Sequence, residues 1–221
     1  MNLNNFAEGN ELFQRAYFKK HAKELLELAK KGQRPKALFI GCSDSRVIPD
    51  LMIQSNPGDL FVLRNVGNFV PPYKADEDYH GTGAGIEYAV SVLNVAEIII
   101  CGHSHCGACK ALYEPLENSE LVHIKKWLDL GQKAKTMAMA SIGNDPSKEN
   151  LLRLTEKLSI ITQIENLMTY PFVKKKLDND EIHIHGWYYD IETGNIDYYD
   201  PDTYQFISLS EAAESLSPQE D

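Results

Sequence analysis

Two apolar segments, each followed by a loop that contains Cys and other polar side chains, constrain the fold of this chain most strongly. Residues 37–40 lead into Gly41-Cys42-Ser43-Asp44-Ser45-Arg46, and residues 98–101 lead into Gly102-His103-Ser104-His105-Cys106-Gly107. Short, continuous apolar runs are typical of strands that lie in a parallel sheet with both faces covered. Helical patterns between such strands indicate an α/β fold.

The order of segments predicts a mostly parallel central sheet flanked by helices, with about four parallel strands plus a C-terminal antiparallel strand. A further apolar run at residues 60–63 is the second predicted strand. Residues 182–190 alternate with period two, and residues 196–199 follow a turn at 192–195. These last two segments indicate a hairpin.

We predict a single domain over residues 1–221, because a chain of this length with 43% hydrophobic residues can bury one sizeable core. Its predicted parts are an N-terminal helical arm (1–34), a metal-binding α/β core (35–113), a helical segment (114–175) and a C-terminal hairpin and tail (180–221). The amphipathic pattern of the arm spans residues 11–31. Pro146 and Ser147 indicate a new helix start after a break at 143–146, and the polar tail from Ser210 is expected to end in disorder.

The formal net charge of -10 at pH 7 argues against a nucleic-acid or membrane partner, since those surfaces attract basic patches. A small molecule is the expected ligand. The first five residues lack the features of a secretory signal, and no apolar run approaches the roughly 18 residues of a membrane span. We therefore expect a cytoplasmic, reducing setting, in which the four cysteines are thiols or metal ligands.

The two loops together predict a metal site. Cys42 lies just past one predicted strand, and His103 and Cys106 lie just past another. Ligands of open parallel sheets bind beyond the carboxyl ends of the strands, so we expect these residues to meet. Two thiolates and one imidazole suit zinc, and a catalytic zinc site leaves its fourth position to water.

Asp44 and His105 are the two candidates inside the loops for that fourth position. Asp44 follows Cys42 by two residues, and Arg46 follows Asp44 by two more, so an extended loop points all three to one side. We expect Arg46 to keep Asp44 ionised, and Asp44 to accept the proton of a zinc-bound hydroxide and orient it. Zinc supplies this nucleophile by lowering the pKa of its water from 15.7 to about 7.

The cysteines also permit two other interpretations. Cys101, Cys106 and Cys109 have the C-x4-C-x2-C spacing of plant-type iron–sulfur proteins, although Cys42 lies upstream of them rather than downstream. Cys106 and Cys109 also form a C-x-x-C redox pattern, which leaves His103 and Asp44 unexplained. We expect Cys101 and Cys109 to be small buried hydrophobic residues instead.

Three segments resemble the signatures of the β-class carbonic anhydrases: Cys42-Ser43-Asp44-Ser45-Arg46, Arg64-Asn65-Val66-Gly67-Asn68 and His103-Ser104-His105-Cys106-Gly107. The resemblance extends from Gln33 to Asp190 and so covers most of the chain. It implies reversible hydration of carbon dioxide to bicarbonate and a proton. It also implies one zinc ion per subunit on Cys42, His103 and Cys106, with Asp44 and Arg46 as the catalytic pair that orients the hydroxide.

The same resemblance implies a homodimer or homotetramer with active sites at subunit interfaces and the N-terminal arm packed on a partner. In the family, a Gln at the position of Gln33 reaches in from the neighbouring subunit to help hold substrate. Residues that match Phe61, Val66 and Tyr88 line an apolar pocket, which suits uncharged carbon dioxide. The competing functions are a zinc-dependent hydrolase of another small electrophile and a non-catalytic zinc- or bicarbonate-binding module.

This sequence departs from the family pattern at three positions. Some members bind regulatory bicarbonate with a Trp, an Arg and a Tyr; Arg64 and Tyr189 match, but Phe39 replaces the Trp and cannot donate a hydrogen bond. We therefore predict water on zinc, Asp44 paired with Arg46, and weak or absent regulation by bicarbonate. Gly67 stands where Ala is usual, and Ala108 stands where a second Gly commonly follows Cys-Gly.

Overall fold

A six-stranded sheet with the order β2-β1-β3-β4-β5-β6 forms the centre of the molecule. The structure is a computed structural model that describes residues 2–76, 78–114, 116–117, 120–143 and 147–216. The strands are β1 (Ala37–Cys42), β2 (Leu60–Asn65), β3 (Glu97–His103), β4 (His183–Tyr189), β5 (Ile196–Asp200) and β6 (Gln205–Ser208).

The first four strands in this order are parallel, and β5 and β6 each run antiparallel to the strand before them. The predicted α/β fold with four parallel strands and a C-terminal hairpin is therefore confirmed. The predicted antiparallel strand is β5, and the structure adds a second antiparallel strand, β6, which was not predicted. β6 has only four residues, two of them apolar, and it pairs with β5 across a short polar turn.

Helices cover both faces and extend the N-terminus. They are α1 (Leu3–Phe13), α2 (Lys19–Lys31), α3 (Pro49–Met52), α4 (Gly81–Glu87), α5 (Gly107–Ala111), α6 (Val122–Leu128), α7 (Gln132–Ser141), α8 (Lys148–Leu167), α9 (Pro171–Asp178) and α10 (Leu209–Leu216). No helix among the described residues is long and apolar enough to span a bilayer.

The N-terminal arm is longer than the amphipathic pattern predicted. α1 starts at Leu3, where the side chain of Asn2 accepts a hydrogen bond from the backbone N–H of Asn5, 3.1 Å away. A π-helical segment (Gln14–Phe18) joins α1 to α2, which ends at Gly32 with φ +80°. None of the residues in these three segments is buried. The apolar side chains of α1 are therefore exposed, whereas Leu28 of α2 is partly covered by the region of Gly58.

Two other helix boundaries can be compared with the predictions made from the sequence. Ser147 caps α8 by accepting a hydrogen bond from Asn150, which confirms the predicted helix start, although the predicted break at 144–146 lies outside the described residues. The polar tail from Ser210 begins as a helix, because α10 forms over Leu209–Leu216 and buries Ala212. Residues 217–221 of that tail are not among those described.

Helix α8 lies unusually close to the sheet because two strand residues are glycines. A Cβ atom at Gly102 of β3 would lie 2.7 Å from Ile160 Cγ1, and one at Gly186 of β4 would lie 3.0 Å from Ile160 Cγ2 and from Ile164 Cδ1. Only glycine permits this approach without displacing the helix. The middle of α8 is thereby placed against β3 and β4.

The core lies on both faces of β1 and β3, as the continuous apolar runs predicted. Leu38 and Ile40 point to the α8 side, where they join Ile98, Ile100 and Ile160. The opposite face holds a second cluster that includes Phe39, Ile99, Cys101 and Trp187. Both strands are thus fixed in the middle of the molecule, and their carboxyl ends form a rigid edge.

Candidate metal centre

The ends of β1 and β3 bring the three predicted metal ligands together. Cys42 is the last residue of β1, His103 is the last residue of β3, and Cys106 lies directly before α5. The two strands are neighbours in parallel register, with Gly41 opposite Cys101. The Sγ atoms of both cysteines and a ring nitrogen of His103 all lie within 4.8 Å of one another, and all three residues are buried. The prediction that these loops meet is confirmed.

His103 is oriented for metal binding. Its Nδ1 lies 2.8 Å from the carbonyl oxygen of Ser104, which can only accept a hydrogen bond, so Nδ1 carries the proton. Nε2 is then unprotonated, and it is buried without any hydrogen-bond partner. A buried acceptor without a partner is costly, and a metal ion is the ligand that its lone pair fits.

The two thiols also fit a cation. The hydrogen bond with Cys106, followed by burial, raises the pKa of Cys42 to about 12. The neighbouring Cys109 thiol and burial likewise raise the pKa of Cys106. Two adjacent buried thiolates are unfavourable on their own, whereas a divalent cation deprotonates both. The donor set therefore matches a soft divalent ion.

A backbone N–H group is directed at one of these two sulfur atoms. The N–H of Gly67 donates to Cys42 Sγ at 3.3 Å. The loop that carries Gly67 is held by Asn65, whose side chain donates to the carbonyl of Phe69 and accepts from its N–H, each at 2.8 Å. Trp127 Nε1 donates to the carbonyl of Val66 at 2.7 Å. These bonds hold the loop in place beside the ligand group.

Asp44 and Arg46 form the predicted pair beside the ligand group. Arg46 Nε donates to Asp44 Oδ1 at 2.9 Å, and Arg46 Nη2 donates to Oδ2 at 2.7 Å. These hydrogen bonds hold the pKa of Asp44 well below its usual range. Asp44 is therefore an ionised acceptor at neutral pH, in the arrangement that was predicted for the pair.

Arg64 supports the same loop from the neighbouring strand. Its Nε donates to the carbonyl of Cys42 at 3.0 Å, and its Nη2 donates to the carbonyl of Asp44 at 2.7 Å. The guanidinium is thus engaged by the protein backbone. Phe39, in the position of the family's Trp, is fully buried with its ring centroid 6.4 Å from that of Trp187.

One chain does not assemble the predicted substrate pocket. Val66 lies next to the ligand group and is 43% exposed. Phe61 pairs with Leu38, four residues before Cys42 along the strand, which is roughly 13 Å at 3.3 Å per residue. Tyr88 contacts Phe61 with ring centroids 5.9 Å apart. Gln33 is exposed before the start of β1, so it lies at the opposite edge of the sheet.

The other cysteines do not join the ligand group. Cys101 belongs to the cluster of Phe39 and Trp187 on the far side of the sheet, which argues against an iron–sulfur site. Cys109 is buried in the cluster that contains Cys42 and Cys106. Both are buried, as predicted for small hydrophobic residues.

Sequence reasoning missed one residue of this region, Glu156 of α8. Its side chain is buried, and its Oε1 accepts a hydrogen bond from the backbone N–H of Cys106 at 2.9 Å. Burial raises the pKa of Glu156 to about 6. A Glu in a helix that carries many other charges gives no sequence signal of burial, because such side chains are almost always at the surface.

This chain is similar in sequence and fold to known carbonic anhydrases. The carbonic anhydrase family profile matches residues 37–196. A carbonic anhydrase from Synechocystis is 39% identical over 215 residues, covering 97% of this chain and 77% of that protein. One from Pseudomonas aeruginosa is 40% identical over 212 residues, covering 96% of this chain and 94% of that protein.

Solved structures agree with these relatives. The β-carbonic anhydrase CcaA is 39% identical with a TM-score of 0.86, covering 93% of this chain and 91% of that one. A tetrameric β-carbonic anhydrase from Sordaria macrospora is 28% identical with a TM-score of 0.77, covering 88% of this chain and 95% of that one. The chain therefore belongs to the carbonic anhydrase family, and it is an enzyme of the β class.

Gly67 and Ala108, the two departures from the family pattern near the metal site, lie so close that a side chain at position 67 would overlap the Ala108 methyl group. A Cβ atom at Gly67, where φ is +79°, would lie 2.8 Å from the Cβ of Ala108. We expect Gly67→Ala to lower the free energy of unfolding by about 1–3 kcal/mol through this overlap and the backbone strain. Ala108→Gly alone should cost about 0.5–1 kcal/mol.

A double-mutant cycle in urea measures this overlap. In Gly67→Ala/Ala108→Gly, removal of the Ala108 methyl should recover at least about 0.5 kcal/mol relative to the sum of the single losses. Strict additivity of the two single changes would contradict the shared-space explanation.

Proposed function

We propose that this chain catalyses the reversible hydration of carbon dioxide to bicarbonate and a proton, with one zinc ion held by Cys42, His103 and Cys106. The buried, unpartnered Nε2 of His103 beside two thiols carries the proposal. Zinc is the ion that two Cys and one His favour with a position left free. When bound, it supplies a hydroxide nucleophile at neutral pH.

Asp44 is the proposed orienting acceptor. The Arg46 side chain donates to both oxygens of the Asp44 carboxylate, and the Arg46 backbone N–H also donates to Oδ1 at 3.0 Å. One lone pair of Oδ2 is left to accept a further hydrogen bond. The ionised carboxylate accepts the hydrogen of the attacking nucleophile and directs its lone pair towards carbon dioxide. A purely structural metal site gains nothing from such an acceptor, which favours catalysis over the non-catalytic binding module.

We further propose that the working unit contains at least two copies of the chain. Gln33, Phe61 and Tyr88 are placed away from the metal ligands of their own chain, and Tyr88 is 45% exposed. The arm exposes Leu3 by 81%, Phe6 by 59% and Leu12 by 55%, which is the kind of apolar surface that a partner covers. The relatives from Sordaria macrospora are described as tetrameric, and a homodimer or homotetramer is proposed here.

The proposed setting is cytoplasmic and reducing. The two thiol ligands are close neighbours, and an oxidising compartment favours their conversion to a disulfide.

The Asp44→Asn variant tests the role of the orienting carboxylate independently of metal binding. Because the three metal ligands are unchanged, the variant should retain one zinc ion per chain in metal analysis. Its rate of carbon dioxide hydration in stopped flow should fall about 100-fold, since the amide is not an anionic acceptor. Asp59→Asn is a matched control, because Asp59 pairs with Lys36 at the other edge of the sheet.

Full activity of zinc-loaded Asp44→Asn would contradict the role of the carboxylate. A zinc-loaded wild-type protein that shows no rate above buffer between about pH 7 and 9 would contradict the carbonic anhydrase activity itself. Hydrolysis of a small ester by that same inactive sample would support the hydrolase.

Co-expression of two inactive variants tests the shared pocket. One variant carries Gln33→Ala and Tyr88→Ala and keeps its metal ligands, whereas the other carries Asp44→Asn and keeps Gln33 and Tyr88. A hybrid dimer has one intact site if the pocket residues come from the partner, so a statistical mixture should recover about a quarter of wild-type activity. A mixture no more active than the average of its parents would show that the residues act within one chain.

A further inference from the structure

The peptide bond between His105 and Cys106 is held at both of its polar groups. Its carbonyl oxygen, which belongs to His105, accepts a hydrogen bond from Arg46 Nη2 at 3.1 Å. Its N–H, which belongs to Cys106, donates to Glu156 Oε1 at 2.9 Å. One peptide plane thus connects the Asp44–Arg46 pair on one side to a buried carboxylate on the other.

The chain needs such support at this point because His105 has an unfavourable backbone conformation. Its φ is +59°, in the left-handed region that a residue with a Cβ adopts only at a cost. The ring of His105 is partly exposed, and its Nε2 lies 3.5 Å from an exposed Glu192 carboxylate oxygen. An exposed ion pair of this length contributes little, so the backbone contacts are what hold the turn.

Glu156 is itself fixed by its surroundings. Arg153 Nη2 donates to Oε1 at 2.9 Å, and the hydroxyl of Tyr188 donates to Oε2 at 3.0 Å. The side chain of Glu156 is 1% exposed, and that of Arg153 is 25% exposed. The close approach of α8 at Gly102 brings this carboxylate beneath the loop. Both oxygens are therefore committed, and the carboxylate has one position in the fold.

We propose that Glu156 is a positioning residue for the metal centre. Glu156 accepts a hydrogen bond from the Cys106 N–H and so sets the plane of the peptide between His105 and Cys106. This peptide precedes a proposed metal ligand, and its carbonyl accepts a hydrogen bond from Arg46. This inference rests on the proposed function for its effect on catalysis, but its effect on metal binding stands independently.

The loss of this contact has two consequences. The Cys106 N–H becomes a buried donor without a partner, and the strained turn at His105 loses one of its two restraints. Rotation of the peptide then withdraws the carbonyl from Arg46 and displaces Cys106 together. Partners of this kind, which orient a metal ligand from behind, typically change metal affinity by 10–100-fold when they are removed.

Two conservative variants separate the effect of the length of the Glu156 side chain from the effect of its charge. Glu156→Asp keeps the charge but shortens the side chain by one methylene, so the contact with the Cys106 N–H is lost. Glu156→Gln removes the charge but keeps an oxygen at the same distance. Thr155→Val is the matched control, because Thr155 is a fully buried neighbour on α8 that bonds Tyr113 and not the metal loop.

The readouts are zinc affinity by competition with a chromophoric chelator and the visible spectrum of the Co(II)-substituted protein. Glu156→Asp should weaken zinc binding by about tenfold or more and alter the Co(II) spectrum. Glu156→Gln should weaken zinc binding clearly less than Glu156→Asp does. Thr155→Val should leave the zinc affinity within about twofold of wild type and the Co(II) spectrum unchanged, while it lowers the free energy of unfolding. In the zinc-loaded enzyme, Glu156→Asp should lower kcat more than it changes KM.

Zinc affinity and a Co(II) spectrum in Glu156→Asp that match wild type would overturn the proposal, and so would an equal effect of Thr155→Val. A larger loss in Glu156→Gln than in Glu156→Asp would also overturn it, because charge rather than hydrogen-bond geometry would then be decisive. A wild-type protein without carbon dioxide hydration would contradict the proposed function, but the two metal readouts would still decide the role of Glu156.

Discussion

The parallel pairing of β1 with β3 is the constraint on which the site depends. Because Gly41 lies opposite Cys101, both strands end at the same edge of the sheet, and Cys42 and His103 leave that edge side by side. The apolar residues that hold the two strands in the core therefore also determine the spacing of the proposed metal ligands. A change of register would separate the ligands along with every packed side chain. The stability of the core and the geometry of the site are thus set by the same interactions.

Polar contacts then complete the geometry that the strands begin. Arg64 holds the loop after β1, and the N–H of Gly67 approaches the sulfur of Cys42. Arg46 and Glu156 hold opposite sides of one peptide in the loop after β3. Most of these donors and acceptors bond to backbone groups rather than to each other. The loops are consequently ordered by the protein itself, which lowers the cost of assembling the ligands around an ion.

The sequence predicted the features that depend on local pattern, namely the buried strands, the loops at their ends and the meeting of Cys42, His103 and Cys106. It did not predict the features that depend on packing between segments that are distant in the chain. β6, with only four residues, depends on pairing with β5. α10 is different, because Leu209, Ala212, Ala213 and Leu216 have the i, i+3, i+4, i+7 spacing of an amphipathic helix, and this local pattern was overlooked. The role of Glu156 depends on the close approach of α8 to Gly102 and Gly186, which are distant from it in the chain, and no local pattern of α8 indicates this approach. The positions of Phe61 and Tyr88 relative to the metal ligands likewise follow from strand register.

A crystal structure of the zinc-loaded protein at neutral pH, with anomalous data at the zinc edge, tests the central claim most directly. The account predicts one anomalous peak per chain, about 2.3 Å from the Sγ atoms of Cys42 and Cys106 and about 2.0–2.1 Å from His103 Nε2, with Asp44 still bonded to Arg46. A peak at other residues would contradict the assignment of the metal centre. A peak at these three ligands with an Asp44 oxygen bound to zinc and Arg46 released would contradict the proposed open site.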